Sequence, residues 1–316
     1  MSTEFLRTII ARSRSTIVKH LLSVFSFCVL CSGITARVDA EEPKKIDSPT
    51  KVRPSTNRIV LRVERNIVFH EVNGVKISAD LYRPDNDDKL PVVVMIHGGG
   101  WIAGDKWNLA DHARELAQAG FVAMSINYRL APRAKWPAQI DDCREALKWL
   151  GQHANEWHAD LDCVGVWGYS AGAQLASLLA FDRQSDLPTV RCCVAGGTPC
   201  DLTYVPENSR MLEPFLGGSR RDFPERYEQA SPCSFVTKDD PPTMLFHGTS
   251  DALVPIANSR KMFEKLQSLG VESAFFEVED QGHLVTFMHQ PSRTAAIEFL
   301  KTHLVSRTAP EKSPKQ

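Results

Sequence analysis

Two rhythms of apolar residues alternate along most of this chain. Short β-branched runs predict strands, and stretches with apolar positions three and four apart predict helices. Residues 66–70 and 75–82 predict two strands joined at Asn73-Gly74, a pair suited to a tight hairpin turn with positive φ at both central residues. Residues 91–96 are a continuous apolar run, as in a strand covered on both faces. A helix is predicted over 109–118, stopped by Gly120, then a strand over 121–127. The helix over 137–152 carries Asp141 and Asp142 near its positive dipole end. The alternation continues with strand 164–167, helix 171–181 and strands 190–195 and 243–246. Helix 256–269, ended by Gly270, strand 273–278 and helix 294–304 complete it.

This order predicts an α/β fold: a mostly parallel eight-stranded sheet with helices on both faces and the opening hairpin antiparallel at one edge. Ligands of such sheets bind beyond the carboxyl ends of the strands. Residues 198–240, after the sixth strand, break the rhythm as a long, lid-like excursion. Its Tyr204, Met211, Leu212, Phe215 and Phe223 either cover a pocket as a lid or anchor the loop to the core.

The ends of the chain read differently. Arg7, Arg12, Arg14 and Lys19 precede an uncharged apolar run at 21–34, and Val38-Asp39-Ala40 follows with small residues at a cleavage position. Residues 1–40 are therefore expected to be a signal peptide, with cleavage near Ala40 and a secreted or periplasmic product. The run is short of the roughly 20 residues a membrane span needs. An uncleaved N-terminal anchor is the alternative, and no stable membrane insertion is expected once the leader is removed. Residues 41–58 are polar, with Pro43, Pro49 and Pro54, and are expected to be a disordered spacer. Residues 306–316 are expected to be a disordered tail, leaving one domain over 59–305. With 316 residues and 43% hydrophobic content, the chain has material for one large core.

A net charge of −1 with no basic stripe excludes nucleic acid as an expected partner. Of eight cysteines, six lie past the leader: Cys143, Cys163, Cys192, Cys193, Cys200 and Cys233. Cys200 and Cys233, both in the excursion, are the pair expected to form a disulfide in an exported protein. The alternative is that several are buried free thiols, which pack as small hydrophobes. In a strand, Cys192 and Cys193 point to opposite faces.

The chemistry-bearing residues fall at strand ends. Gly168-Tyr169-Ser170-Ala171-Gly172 lies between a predicted strand and a predicted helix, the context that lifts a serine hydroxyl above the sheet on a tight turn. His97-Gly98-Gly99-Gly100-Trp101 follows strand 91–96. The N–H groups of Gly99, Gly100 and Ala171 are candidates to hold a developing oxyanion. His97 itself is expected to brace the loop. No phosphate-binding Lys-Ser or Lys-Thr follows these glycines, and no G-x-G-x-x-G occurs.

A serine nucleophile needs a base and a group to orient that base. Asp251 follows strand 243–246 and His283 follows strand 273–278, both on the rim that carries Ser170. The expected roles are Ser170 as nucleophile, His283 as general base and then acid, and Asp251 as orienter of the imidazole. His247, His289, His153 and His158 compete for the base, and Asp201 and Asp280 for the acid. No cluster has convincing metal-ligand spacing, so no metal is expected.

Taken together and in order, these motifs, with Tyr128-Arg129-Leu130-Ala131-Pro132 and the segment His247-Gly248-Thr249-Ser250-Asp251, resemble the α/β-hydrolase superfamily of esterases and lipases over residues 66–305. Gly100-Trp101, Gly104-Asp105 and Trp136-Pro137-Ala138-Gln139-Ile140-Asp141-Asp142 are similar to carboxylesterases related to feruloyl and acetylxylan esterases. Hormone-sensitive-lipase-like esterases share His97 to Gly100 and Tyr128 to Pro132. They usually carry a helical cap before the first strand, which residues 41–58 do not offer. Arg133 also departs from the acidic residue often found after that Ala-Pro. The resemblance implies cofactor-free serine hydrolysis of a small-molecule or carbohydrate ester, short-acyl esters first. Two other readings stay open: an amidase or peptidase of the same fold, arylformamidase- or oligopeptidase-like, and a non-catalytic binding module.

Overall fold

The computed structural model describes residues 59–305. The signal peptide, spacer and tail expected at 1–40, 41–58 and 306–316 lie outside the described residues. Eight strands run in the sheet: β1 Leu61–Val72, β2 Val75–Pro84, β3 Leu90–Ile96, β4 Val122–Ile126, β5 Ala159–Tyr169, β6 Val190–Gly196, β7 Thr243–Gly248 and β8 Ser273–Val278. Their spatial order is β1-β2-β4-β3-β5-β6-β7-β8. β2 pairs antiparallel with both β1 and β4, and every pairing from β4 to β8 is parallel. The hairpin turn sits at Asn73-Gly74, with φ of 51° and 75°.

The helices are α1 Ala110–Gln118, α2 Ala138–His153, α3 Ala171–Phe181, α4 Glu213–Leu216, α5 Pro224–Gln229, α6 Ala257–Ser268, α7 His283–Met288 and α8 Gln290–Leu300. Strand alternation divides the core into two layers, one on each sheet face. In β3, Val92, Val94 and Ile96 join the layer with Leu147 of α2 and Leu178 of α3. Val93 and Met95 join the opposite layer with Leu116 of α1 and Leu300 of α8. This is why residues 91–96 contain no polar side chain: both faces are covered. The same alternation puts Cys193 in the first layer and Cys192 in the second.

Some elements differ from expectation. β5 begins at Ala159, five residues early, and its pairing with β3 slips between Pro91 and Val92. The irregularity hides the strand's start from a period-two reading. A 3-10 turn at Lys106–Leu109, capped by Asp105, precedes α1. α8 begins at Gln290 rather than 294 because Pro291 occupies its first turn, where a missing N–H costs nothing. It ends at Leu300 and passes into a π-helical turn at Lys301–Val305. The excursion contains α4, α5 and 3-10 turns at Leu202–Tyr204 and Pro232–Ser234. Leu212 and Phe215 are buried, whereas Tyr204 and Met211 are exposed. Cys200 and Cys233 meet there, but as free thiols with Sγ to Sγ at 3.2 Å rather than as the expected disulfide. The Cys200 thiol donates to the Asn258 carbonyl at 2.7 Å.

His112 on α1 makes a testable contribution to acid stability. It is buried, stacked on Phe287 at 4.7 Å and edge-on to Trp167. Burial, and then the nearby Arg293 charge, push its imidazole from 6.5 down to about 4. Below the unfolded value the unfolded chain takes up a proton that the folded chain refuses. This contribution is complete above about pH 6.5 and fades as pH falls toward 4, by on the order of 3 kcal/mol. Urea midpoints measured at pH 7, 5 and 4 should fall more steeply for the natural chain than for His112→Phe. Parallel slopes would reject the assignment.

Candidate active site

The site lies beyond the carboxyl ends of β3, β5, β7 and β8. β5 ends at Tyr169, and Ser170 takes φ 56° and ψ −124° before α3 begins. That positive φ is unusual for a side chain larger than glycine and marks a strained turn. The turn is held on both sides. Ser170 N–H donates to Gly196 O of β6 at 2.8 Å, and Ser170 O accepts from the N–H of Ala173 and Gln174 at 2.9 and 3.1 Å. α3 begins so close to β3 that a Cβ on Gly172 would stand 2.1 Å from Ile96 O. The second glycine of the motif is required by this approach.

The loop after β3 folds back against the elbow. His97 is buried and stacks on Tyr128 at 4.4 Å, and the Tyr128 hydroxyl donates to His97 O at 3.0 Å. Burial lowers the His97 pKa, so its neutral ring donates from Nδ1 to Gly98 O at 2.7 Å. His97 thus braces the glycine loop. Among the described residues, the N–H groups of Gly99, Gly100 and Ala171 appear in none of the backbone hydrogen bonds of the loop and elbow. Trp101 closes the loop at φ 62°. Its ring stacks on Phe215 of the excursion at 4.2 Å, and its Nε1–H donates to Gln174 Oε1 at 2.9 Å. Gln174, on α3, donates in turn to Ala230 O at 2.7 Å. One buried amide therefore ties elbow helix, glycine loop and excursion together.

Asp251 and His283 meet across the ends of β7 and β8. His283 Nδ1 is 2.5 Å from Asp251 Oδ2. Asp251 Oδ1 accepts from the N–H of Leu253 and of Val254, each at 2.9 Å. His247, fully buried in β7, brings Nε2 within 3.1 Å of Asp251 Oδ2. Burial opposes ionisation of Asp251. Hydrogen bonds from His247, His283 and the Val254 N–H more than offset it, and the carboxyl is held well below the usual carboxylate range.

His283 is brought to the elbow by Tyr169, whose hydroxyl donates to His283 O at 2.5 Å while the two rings lie 5.0 Å apart. Between them runs Gly197, with φ 55°; a Cβ there would reach His283 Cε1 and the Tyr169 ring at 3.0 Å. Ser170, Asp251 and His283 thus follow the carboxyl ends of β5, β7 and β8, on one rim of the sheet. Three of the competing histidines are engaged elsewhere. His153 bonds Trp149 O on α2, His158 bonds Asp87 O, and His289 caps α8 through the Ser292 N–H. Asp201 is paired with Lys261, and Asp280 sits in the turn after β8 with its N–H on Thr249. No group of three or more His, Cys, Asp or Glu side chains among the described residues could hold a metal ion.

The model of the BD-FAE family matches residues 79–266, well over half of the chain. The chain belongs to the BD-FAE family. Ser170 and Asp251 fall inside the matched stretch and His283 beyond its end. LipQ, an esterase of Mycobacterium tuberculosis, is 30% identical over 210 residues, covering 62% of this chain and 50% of LipQ. An esterase of Gibberella moniliformis is 27% identical over 241 residues, covering 69% of this chain and 75% of that protein. The chain spans about half the length of the mycobacterial esterases LipQ and LipC. A truncated carbohydrate esterase from gut microbiota superposes with a TM-score of 0.72 at 22% identity, over 80% of this chain and 99% of that one. Esterase Est2 of Thermogutta terrifontis superposes at 0.66 and 22% identity, over 82% and 97%. At such identities the likeness is one of fold. The BD-FAE chain has the α/β-hydrolase fold that its motifs imply.

Sequence reasoning undervalued two members of this site. His247 reads from the sequence as a rival base, yet it touches the carboxylate. Tyr169 filled a variable position of the elbow motif, yet it anchors His283. The Tyr169 role depends on a residue from another strand end, and the His247 role on how the turn after β7 folds back over four residues.

Proposed function

We propose that the protein is a serine carboxylic ester hydrolase acting through an acyl-enzyme on short-acyl esters, acetyl or feruloyl groups on carbohydrate among them. The observation that carries this is the 2.5 Å pair of His283 Nδ1 and Asp251 Oδ2, on the sheet rim that also carries the elbow serine. With Nδ1–H directed at the carboxylate, His283 Nε2 is left as the lone-pair face to take the Ser170 proton. Ser170 Oγ attacks the acyl carbon, and the free amides of Gly99, Gly100 and Ala171 receive the oxyanion. The protonated imidazole then gives its proton to the leaving alcohol. Water, activated by the same base, releases the acid and restores the serine. Membership of the BD-FAE family and the named esterase relatives support the reaction class.

The test is a panel of p-nitrophenyl esters of increasing acyl length, matched amides, and acetylated and feruloylated xylan. Hydrolysis should be fastest for the shortest acyl groups, should exceed that of matched amides, and should release acid from the polysaccharide. Cleavage of p-nitrophenyl acetate with no acid released from xylan would overturn the carbohydrate assignment. A fluorophosphonate that failed to label Ser170 would overturn the whole reading in favour of a binding module.

A further inference from the structure

His247 occupies a position that the proposed chemistry leaves without a task. It is fully buried in β7, four residues before the carboxylate that orients the base. Its Nε2 lies 2.8 Å from Val254 O and 3.1 Å from Asp251 Oδ2. Both are acceptors without protons, so the ring must carry its proton on Nε2 and share it between them. Its Nδ1 lies 2.7 Å from Ser259 Oγ on α6, and a neutral ring accepts the serine proton there. Ser259 thereby holds the tautomer that turns an N–H toward Asp251.

Resting on the proposed serine hydrolysis, we propose that His247 is a positioning residue: its Nε2–H holds Asp251 Oδ2 and the Val254 carbonyl together and sets how much negative charge Asp251 presents to His283. Asp251 Oδ2 then serves two imidazoles, and the line Ser259–His247–Asp251–His283 is continuous behind the nucleophile. The loop 250–256 carries both acceptors, so one N–H fixes the carboxylate's place as well as its charge.

Other titratable groups face this line. Tyr169, whose phenol is pushed well above its usual value by burial and then by the Asp251 charge, stays protonated and donates to His283 O. Glu277 of β8 stands opposite His247 in register, and its carboxylate is engaged by Arg260 at 2.7 and 2.9 Å. The Arg260 guanidinium holds Glu277 below its ordinary value, so it stays charged through the working pH range. A change in the acidic limb on altering His247 therefore reports the carboxylate–imidazole pair.

The test compares His247→Leu, His247→Gln and His247→Asn in the full chain, with p-nitrophenyl acetate as substrate and circular dichroism and melting as controls. Leucine removes the N–H. Glutamine places an amide N–H where Nε2 stood, and asparagine is too short to reach Oδ2. In the leucine and asparagine variants, kcat should fall by about tenfold or more with KM within about twofold, because the carboxylate is no longer held in place. The acidic limb of kcat/KM should move to higher pH by roughly half a unit, since a carboxylate stripped of one donor holds the proton on His283 more strongly. Glutamine should restore most of both. If leucine does not fold, asparagine against glutamine carries the same contrast. An unmoved limb in every variant, or glutamine and asparagine equally impaired, would overturn the proposal. Ser170→Ala separates the layers: activity retained there removes the serine mechanism itself, whereas activity lost there with an unmoved limb in the His247 variants removes only the role of His247.

Discussion

Ser170→Ala is expected to lower kcat for ester hydrolysis by roughly 10⁴-fold or more, with melting temperature and far-UV spectrum unchanged. The hydroxyl is the only group removed. The elbow is held by backbone bonds, Ser170 N to Gly196 O and the N–H groups of Ala173 and Gln174 to Ser170 O, and alanine keeps all three. The strained φ of 56° is borne by a Cβ in either residue, so the substitution adds no conformational cost. Residual turnover should remain above the uncatalysed rate, because the amides of Gly99, Gly100 and Ala171 still stabilise developing charge for a water nucleophile. Initial rates with p-nitrophenyl acetate, together with loss of fluorophosphonate labelling, check this. A variant that kept a tenth of the natural rate would place the nucleophile elsewhere.

Asp251→Asn is expected to cost about 10³- to 10⁴-fold in kcat, although it exchanges one atom for another of similar size. The direction of the new amide is dictated by its neighbours. Oδ1 accepts the Leu253 and Val254 N–H groups, so the amide oxygen must stay there and the NH₂ must take the place of Oδ2. That NH₂ then faces His283 Nδ1 at the position of the 2.5 Å contact and His247 Nε2 at that of the 3.1 Å contact. His283 can accept from it only by moving its own proton to Nε2, which removes the lone pair the serine needs. His247 cannot accept without surrendering its bond to Val254 O. The variant should therefore lose activity and also melt at lower temperature, whereas Ser170→Ala loses activity alone. Steady-state kinetics and thermal melts of the two variants side by side check the pair. Near-natural kcat in Asp251→Asn would show that the orienting carboxylate lies elsewhere.

Much of the fold is legible along the chain because its causes are short-range. The β3 run could be read as a two-faced buried strand since burial on both faces forbids any polar side chain there. The hairpin could be read because Asn73 and Gly74 tolerate positive φ. The elbow could be read because strand, serine, helix and two glycines are contiguous. Where the physics is not contiguous, the reading fails. β5 starts early through a slipped register. α7, only six residues long, gives too few turns for a periodic pattern. The excursion showed no rhythm because its helices span four and six residues. Only the folded chain shows Phe215 buried against Trp101 while Met211 is exposed.

The candidate site divides in the same way. Chain order and position at strand ends singled out Ser170, Asp251 and His283, since a tight turn after a strand is a local property. Which groups surround the carboxylate was decided by the lateral order of strands. That order sets β7 between β6 and β8. Tyr169 and Gly197 meet His283 only through this adjacency, whereas His247 reaches Asp251 within the end of β7 itself. By itself the amino-acid order determined the elements, the two-layer core and the residues that end each strand, through steric and solvation preferences acting over a few positions. Tertiary structure alone decided which imidazole reaches Asp251 from the front and which from behind. Hydrogen bonds across strand ends depend on separations in space that no spacing along the chain encodes.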